Sequence, residues 1–131
     1  RMQCSNCRSD TVAFAVPEAV SEFAPGNGSA AAICTSCLKV YAVESPDDDA
    51  DLTEVSEAFA VDEEAAVEMA LVVGLLSSLA LNRSKIETLL EHVEDRGVDP
   101  MLVLEELQAD SSLQPAVAIG RRRSQLEQLM G

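Results

Sequence analysis

The residues in this chain best equipped for chemistry are its four cysteines, which stand in two matched pairs. Cys4 and Cys7 lie in "QCSNCRSD", and Cys34 and Cys37 lie in "ICTSCLKV". The spacing is C-x2-C, then 26 residues, then C-x2-C. Two residues between cysteines let a tight turn aim both sulfurs at one ion. Two such turns supply the four soft ligands in a tetrahedron that zinc prefers. One pair alone is weak evidence; two at this separation are strong. A site closed by four thiolates keeps no coordination position for a substrate. The expected role of one Zn2+ at Cys4, Cys7, Cys34 and Cys37 is therefore structural, with metal binding driving the folding of its surroundings. Two other uses of the thiols stand beside this one: disulfides between the pairs, and a redox dithiol. A redox pair needs a thiolate activated by a helix N-terminus or a cation, whereas both pairs here precede strand-like residues.

The rest of the chain offers little catalytic chemistry. There is one histidine, His92, in a helical stretch beside Glu91. A Gly-rich phosphate loop, a nucleophile elbow and a histidine-bearing metal motif are all missing. The acids Asp47, Asp48 and Asp49 lack the spacing of a calcium-binding loop and read as solvated charge. We expect no catalysis. Arg121, Arg122 and Arg123 form the one basic cluster; they are candidate partner contacts, set against the plainer reading of surface ion pairs.

Three zones must position these residues. Residues 1–45 carry all four cysteines, with strand-like pieces at residues 11–16 (TVAFAV), 30–33 (AAAI) and 38–43 (LKVYAV). Pro17, Pro25, Gly26, Asn27 and Gly28 mark turns between them. Residues 46–60 are an acidic linker or the start of a helix; residues 46–64 hold nine acids and no base. Residues 61–131 read as a small helical bundle. Residues 62–81 are apolar almost all round after the first turn, the pattern of a buried central helix. Ser84 and Glu87 form a capping box that opens the next helix, and Ile86, Leu89, Leu90 and Val93 make its stripe. Gly97 stops that helix, and Asp99 with Pro100 starts another. Pro115 is expected in the first turn of a last helix, whose Ile119, Leu126, Leu129 and Met130 share a face. The resulting fold class is α+β: a short antiparallel sheet, then helices.

The paired C-x2-C knuckles, each beside a strand, resemble a zinc ribbon, a small sheet pinned by two cysteine turns. The resemblance covers about residues 2–45 and departs from the family at one point. Ribbon knuckles commonly continue with glycine after the second cysteine, where this chain has Arg8 and Leu38. Many ribbons serve transcription or translation, so contact with nucleic acid or its machinery is what the resemblance implies as an alternative role. The residues argue against it. Residues 1–45 offer only Arg1, Arg8 and Lys39 as cations. The helix after Gly97 has a helix–turn–helix placement but presents Glu105, Glu106 and leucines, with nothing to read base edges.

Composition sets the remaining expectations. The net charge is −14, from 23 acids and 9 bases, and only Lys39 and Lys85 are lysines. Dense carboxylates, scarce lysine, abundant alanine and few large apolar groups resemble the proteins of salt-loving archaea. At ~1 M salt the screening length is about 3 Å, so such carboxylates barely repel and keep the surface hydrated. As a whole the chain resembles the small zinc-ribbon proteins of those organisms. The longest apolar stretch, residues 69–81, is 13 residues long, short of the roughly 20 that cross a bilayer, and no leader is visible. We expect a cytoplasmic protein that binds no membrane. Its expected role is that of an interaction or adaptor module, with a protein partner or a second copy on the apolar central helix.

Overall fold

A computed structural model describes residues 1–130, and its fold is α+β. Strands β1 (Thr11–Ala15), β2 (Ala30–Cys34) and β3 (Val40–Ala42) form an antiparallel sheet in the order β1-β2-β3. Helices α1 (Glu63–Leu75), α2 (Leu79–Asp95), α3 (Pro100–Ala109) and α4 (Ile119–Met130) come after the sheet. β2 is the central strand, and every one of its residues is buried. It reads AAAIC, so small side chains admit neighbours on both faces. The third strand is shorter than the sequence pattern suggests. Leu38 has a φ of 67°, a left-handed conformation that no strand continues, and extended pairing resumes at Val40.

The acidic segment is packed against the sheet. Asp47 hydrogen-bonds both ways with Ala13 on the open edge of β1: its amide donates to the Ala13 carbonyl (3.0 Å), and its Oδ2 accepts from the Ala13 amide (3.0 Å). A charged residue seated on a sheet edge blocks pairing with another chain. Two short 3-10 turns, capped by Asp51 and Ser56, then bury Leu52, Val55, Ala58 and Phe59.

α1 is buried from Ala65 to Val73, inside one core shared by sheet and helices. Val12, Phe14 and Ile33 from the sheet join Met69 and Leu71 of α1, Leu90 of α2, Leu104 of α3 and Leu126 of α4. The apolarity of the central helix is thus satisfied within a single chain. Residues 62–81 are not one helix, however. α1 ends at Leu75, a 3-10 turn covers Leu76–Ser78, and Ser78 (φ −133°, ψ 58°) redirects the chain so that α2 folds back along α1. The stretch Glu63–Asp95 has the length and apolarity of a membrane-crossing helix by composition, but it is these two helices folded on each other and is mostly buried.

Two further expectations are corrected. Ser84 does not cap a helix. α2 already begins at Leu79, and Ser84 lies inside it, its carbonyl accepting from Thr88 Oγ1 (3.0 Å). Pro115 precedes α4 rather than opening it. The amides of Gln114 and Ala116 are taken by the carbonyls of Ser36 and Cys37 (both 2.9 Å), which holds this segment out of the helix. The other end signals act as read. Gly97 takes φ 81°, with Gly97 N–H bonded to the Glu94 carbonyl and Val98 N–H to the Val93 carbonyl, a Schellman ending. Asp99 Oδ1 caps α3 through the amides of Met101 and Leu102.

α1 crosses β3 at Gly74. A Cβ placed there would lie 2.9 Å from Val40 Cβ, a distance that forces the helix off the strand. Gly74→Ala gains about 1 kcal/mol of helix propensity but incurs about 1–3 kcal/mol of overpacking. We expect a net loss of stability in chemical denaturation, relieved when Val40→Ala is added.

Candidate metal centre

The two knuckles have the same local structure, and residue number explains why. In the first, Cys4 N–H donates to the Ser9 carbonyl (2.8 Å); in the second, Cys34 N–H donates to the Lys39 carbonyl (2.9 Å). Each closes over the same five-residue span. The amides two residues on, Asn6 and Ser36, point at the first sulfur of their pair (3.4 and 3.3 Å), and the Cys37 amide also reaches Cys34 Sγ (3.4 Å). Amides aimed at sulfur stabilise thiolate charge. Arg8 and Leu38, which replace the glycines of the ribbon pattern, both take φ 67°. The knuckle geometry survives without glycine, at a conformational cost of roughly 1–2 kcal/mol at each residue.

That cost separates two substitutions. Arg8 is exposed, so Arg8→Gly removes strain and loses little else; we expect about 0.5–1 kcal/mol of added stability after the larger unfolded-state entropy of glycine is subtracted. Leu38 is 3% exposed and belongs to the core. Leu38→Gly sacrifices about 1.5–3 kcal/mol of burial and should destabilise. Thermal melts of the two variants in one buffer check the opposite signs.

Sheet register brings the knuckles together. Thr11, just past the first knuckle, pairs with Cys34, where β2 runs into the second. Thr35 N–H and Oγ1 both donate to the Asp10 carbonyl (3.0 and 2.9 Å). The four sulfurs consequently all lie within 4.8 Å of one another. Two close contacts cross between knuckles: Cys7 to Cys34 at 3.4 Å and Cys4 to Cys37 at 3.5 Å. Cys4, Cys34 and Cys37 are buried, whereas Cys7 is exposed. Four convergent thiols in a largely buried pocket, with amides aimed at them, fit a tetrahedral thiolate-loving metal.

Protonation differs sharply around the cluster. Burial pushes the Cys4 thiol up, but hydrogen bonds from Tyr41 and from the Cys7 and Asn6 amides prevail and bring it down to about 6. Hydrogen bonds from the Ser9 hydroxyl and amide lower Cys7. Burial pushes Cys34 up to about 12 and also raises Cys37. The first knuckle therefore offers the readier thiolates, and a cation bound here would have to displace the protons of the second.

Tyr41 is a member of this site that sequence spacing does not reveal. Its hydroxyl lies 3.0 Å from Cys4 Sγ and accepts from Ser5 Oγ (3.2 Å). The aromatic ring reads as a strand or core residue; only the register that sets Tyr41 opposite Ala32 puts it beside a cysteine.

The other candidate residues lie elsewhere. Arg123 bonds Glu105 on α3 (3.2 Å) and Glu127 on its own helix (3.3 Å), and Arg122 donates to Gln125 (2.9 Å). Among the described residues Arg121 alone of the three has no side-chain bond. Arg83, a further cation on α2, pairs with Glu87 (3.0 Å). His92 faces Glu68, whose side chain is 3% exposed and is held by Arg96 at 2.7 Å.

A three-stranded antiparallel sheet with two cysteine knuckles, completed by helices that share its core, defines an α+β protein with a candidate four-cysteine metal site. The chain belongs to a family of unknown function, DUF6276, whose model matches residues 3–130. Neither the curated proteins nor the solved structures include a match to it.

Proposed function

We propose that the chain is a non-catalytic zinc protein whose ion, held by Cys4, Cys7, Cys34 and Cys37, fixes a scaffold for contact with another protein. The observation that carries this reading is the convergence of four sulfurs within 4.8 Å, three of them buried. Such a set binds metal tightly and leaves it no position for a substrate. Four thiolates also suit iron, so the metal must be identified directly. Elemental analysis of the purified chain should give one zinc per chain and no visible absorption, and cobalt exchanged into the site should give the spectrum of a tetrahedral thiolate complex. Iron in stoichiometric amount, or no metal, would overturn the assignment.

The proposed setting is the reducing cytoplasm of a halophilic archaeon. Unpaired cysteines accord with reducing conditions, and a net charge of −14 accords with high salt. Stability should rise between dilute buffer and molar potassium chloride, as surface carboxylates cease to repel. Large apolar side chains left exposed are the natural places for a partner to touch: Leu81 on α2 (88% exposed), Leu102 on α3, and Leu129 and Met130 at the end of α4. Light scattering at molar salt, before and after Leu81→Lys, tests whether that partner is a second copy.

A further inference from the structure

We infer that Cys7 is a modification site for peroxides, through which oxidation opens the metal centre and leaves a Cys7–Cys34 disulfide in its place. The inference rests on the zinc reading above and adds to it a reactive ligand and a defined product.

Exposure decides where oxidation starts. Cys4, Cys34 and Cys37 are 1%, 0% and 4% exposed, while Cys7 is open to solvent. The Tyr41 hydroxyl further covers Cys4. A small oxidant therefore meets the Cys7 sulfur first, and thiolates held by a metal remain nucleophiles when solvent reaches them.

Proximity decides the second step. Cys7 Sγ attacks one peroxide oxygen; the O–O bond breaks, an S–O bond forms, and hydroxide leaves. Cys7 becomes a sulfenic acid, two electrons poorer, and releases the metal. The Cys34 sulfur lies in direct contact with it, 3.4 Å away across the knuckles. The Cys34 thiolate attacks the sulfenic sulfur, forms the S–S bond and expels a second hydroxide. In sum, two thiolates and one hydrogen peroxide give one disulfide and two hydroxide ions, and an ion held by the four cysteines would lose two of its ligands. The new bond joins the knuckles at the end where Thr11 pairs with Cys34, so it staples the same two strands that the ion had joined.

The experiment uses the full, zinc-loaded chain at molar salt, titrated with hydrogen peroxide. A chromogenic chelator reports zinc release, and mass spectrometry of unreduced peptides maps the bonds. One peroxide per chain should release the zinc, with Cys7–Cys34 as the first disulfide. Cys7→His keeps a fourth ligand but cannot form this bond, and its zinc release should be at least about tenfold slower. A first disulfide within a knuckle, or between Cys4 and Cys37, overturns the inference, as does release from Cys7→His at the wild-type rate. The bond map is made on the wild-type chain, so it decides the matter even if Cys7→His takes no metal. If the starting protein holds no zinc, the metal assignment fails before any peroxide is added, and the inference falls with it.

Discussion

Cys34→Ser, or removal of the metal by a chelator, is expected to lower the melting temperature by well over about 10 °C, and the loss should spread beyond the sheet. Structural zinc contributes roughly 10–16 kcal/mol in small zinc modules, comparable with the entire stability of a typical domain. Cys34 is the ligand whose loss should matter most. It is fully buried, ends β2, and receives two amides on its sulfur. The damage should travel because the second knuckle is also bonded to the segment before α4, through Gln114 and Ala116. Hydrogen exchange after chelation should therefore rise first at residues 3–11, 33–41 and 110–118, while the middle of α2 stays protected. Unchanged protection at Gln114 and Ala116 would show that the helical end ignores the metal. The pH dependence has a definite sign. Below its pKa of about 12 in the metal-free chain, Cys34 holds a proton that metal must expel. Apparent zinc affinity should thus climb as pH rises and fall in acid, as competition titrations at two pH values would reveal.

The second large effect concerns a charge buried in the most apolar helix. The Glu68 side chain is 3% exposed, and its carboxylate accepts from Arg96 Nε (2.7 Å) and lies 3.3 Å from His92 Nδ1. Arg96 caps the C-terminal end of α2, where a cation also suits the helix dipole, and it bridges to Glu64 (2.9 Å). Arg96→Met strands a carboxylate in the core. We expect a loss of about 3 kcal/mol, the lower end of the range for broken buried pairs, because Arg96 itself is partly hydrated. Glu68→Leu combined with Arg96→Met removes both charges and should restore most of that loss, since apolar replacements of a buried pair are often neutral. Denaturation of the two variants at one fixed salt concentration checks the order. A single variant as stable as the double would mean that Glu68 finds water or His92 sufficient.

The cysteine pairs and flanking strands are legible in the sequence because their signals are local: a two-residue spacing, then a run of β-branched and aromatic side chains. Gly97 and the Asp99-Pro100 pair are legible for the same reason. The Ser84–Glu87 box carries the right residue types, but α2 begins earlier, at Leu79, and local chemistry alone does not reveal that a helix is already under way. The turn at Ser78 has no glycine or proline to announce it; it arises from α2 packing back on α1. Leu38 hides its left-handed backbone because leucine seldom adopts one. Tyr41 beside Cys4, and Arg96 beneath Glu68, are contacts between residues 37 and 28 positions apart. Only the assembled sheet and helix pair bring them together.

The bonds from Gln114 and Ala116 to the second knuckle have a consequence for how the protein is made. During synthesis both cysteine turns leave the ribosome long before the segment that clasps one of them. A nascent chain can therefore bring its four cysteines together early yet still lack the clasp, and the sheet module is completed only by residues translated after α3. Gathering of the four thiols and final closure are separated in time by the translation of α1, α2 and α3, an interval in which the nascent sheet must wait for its own helices.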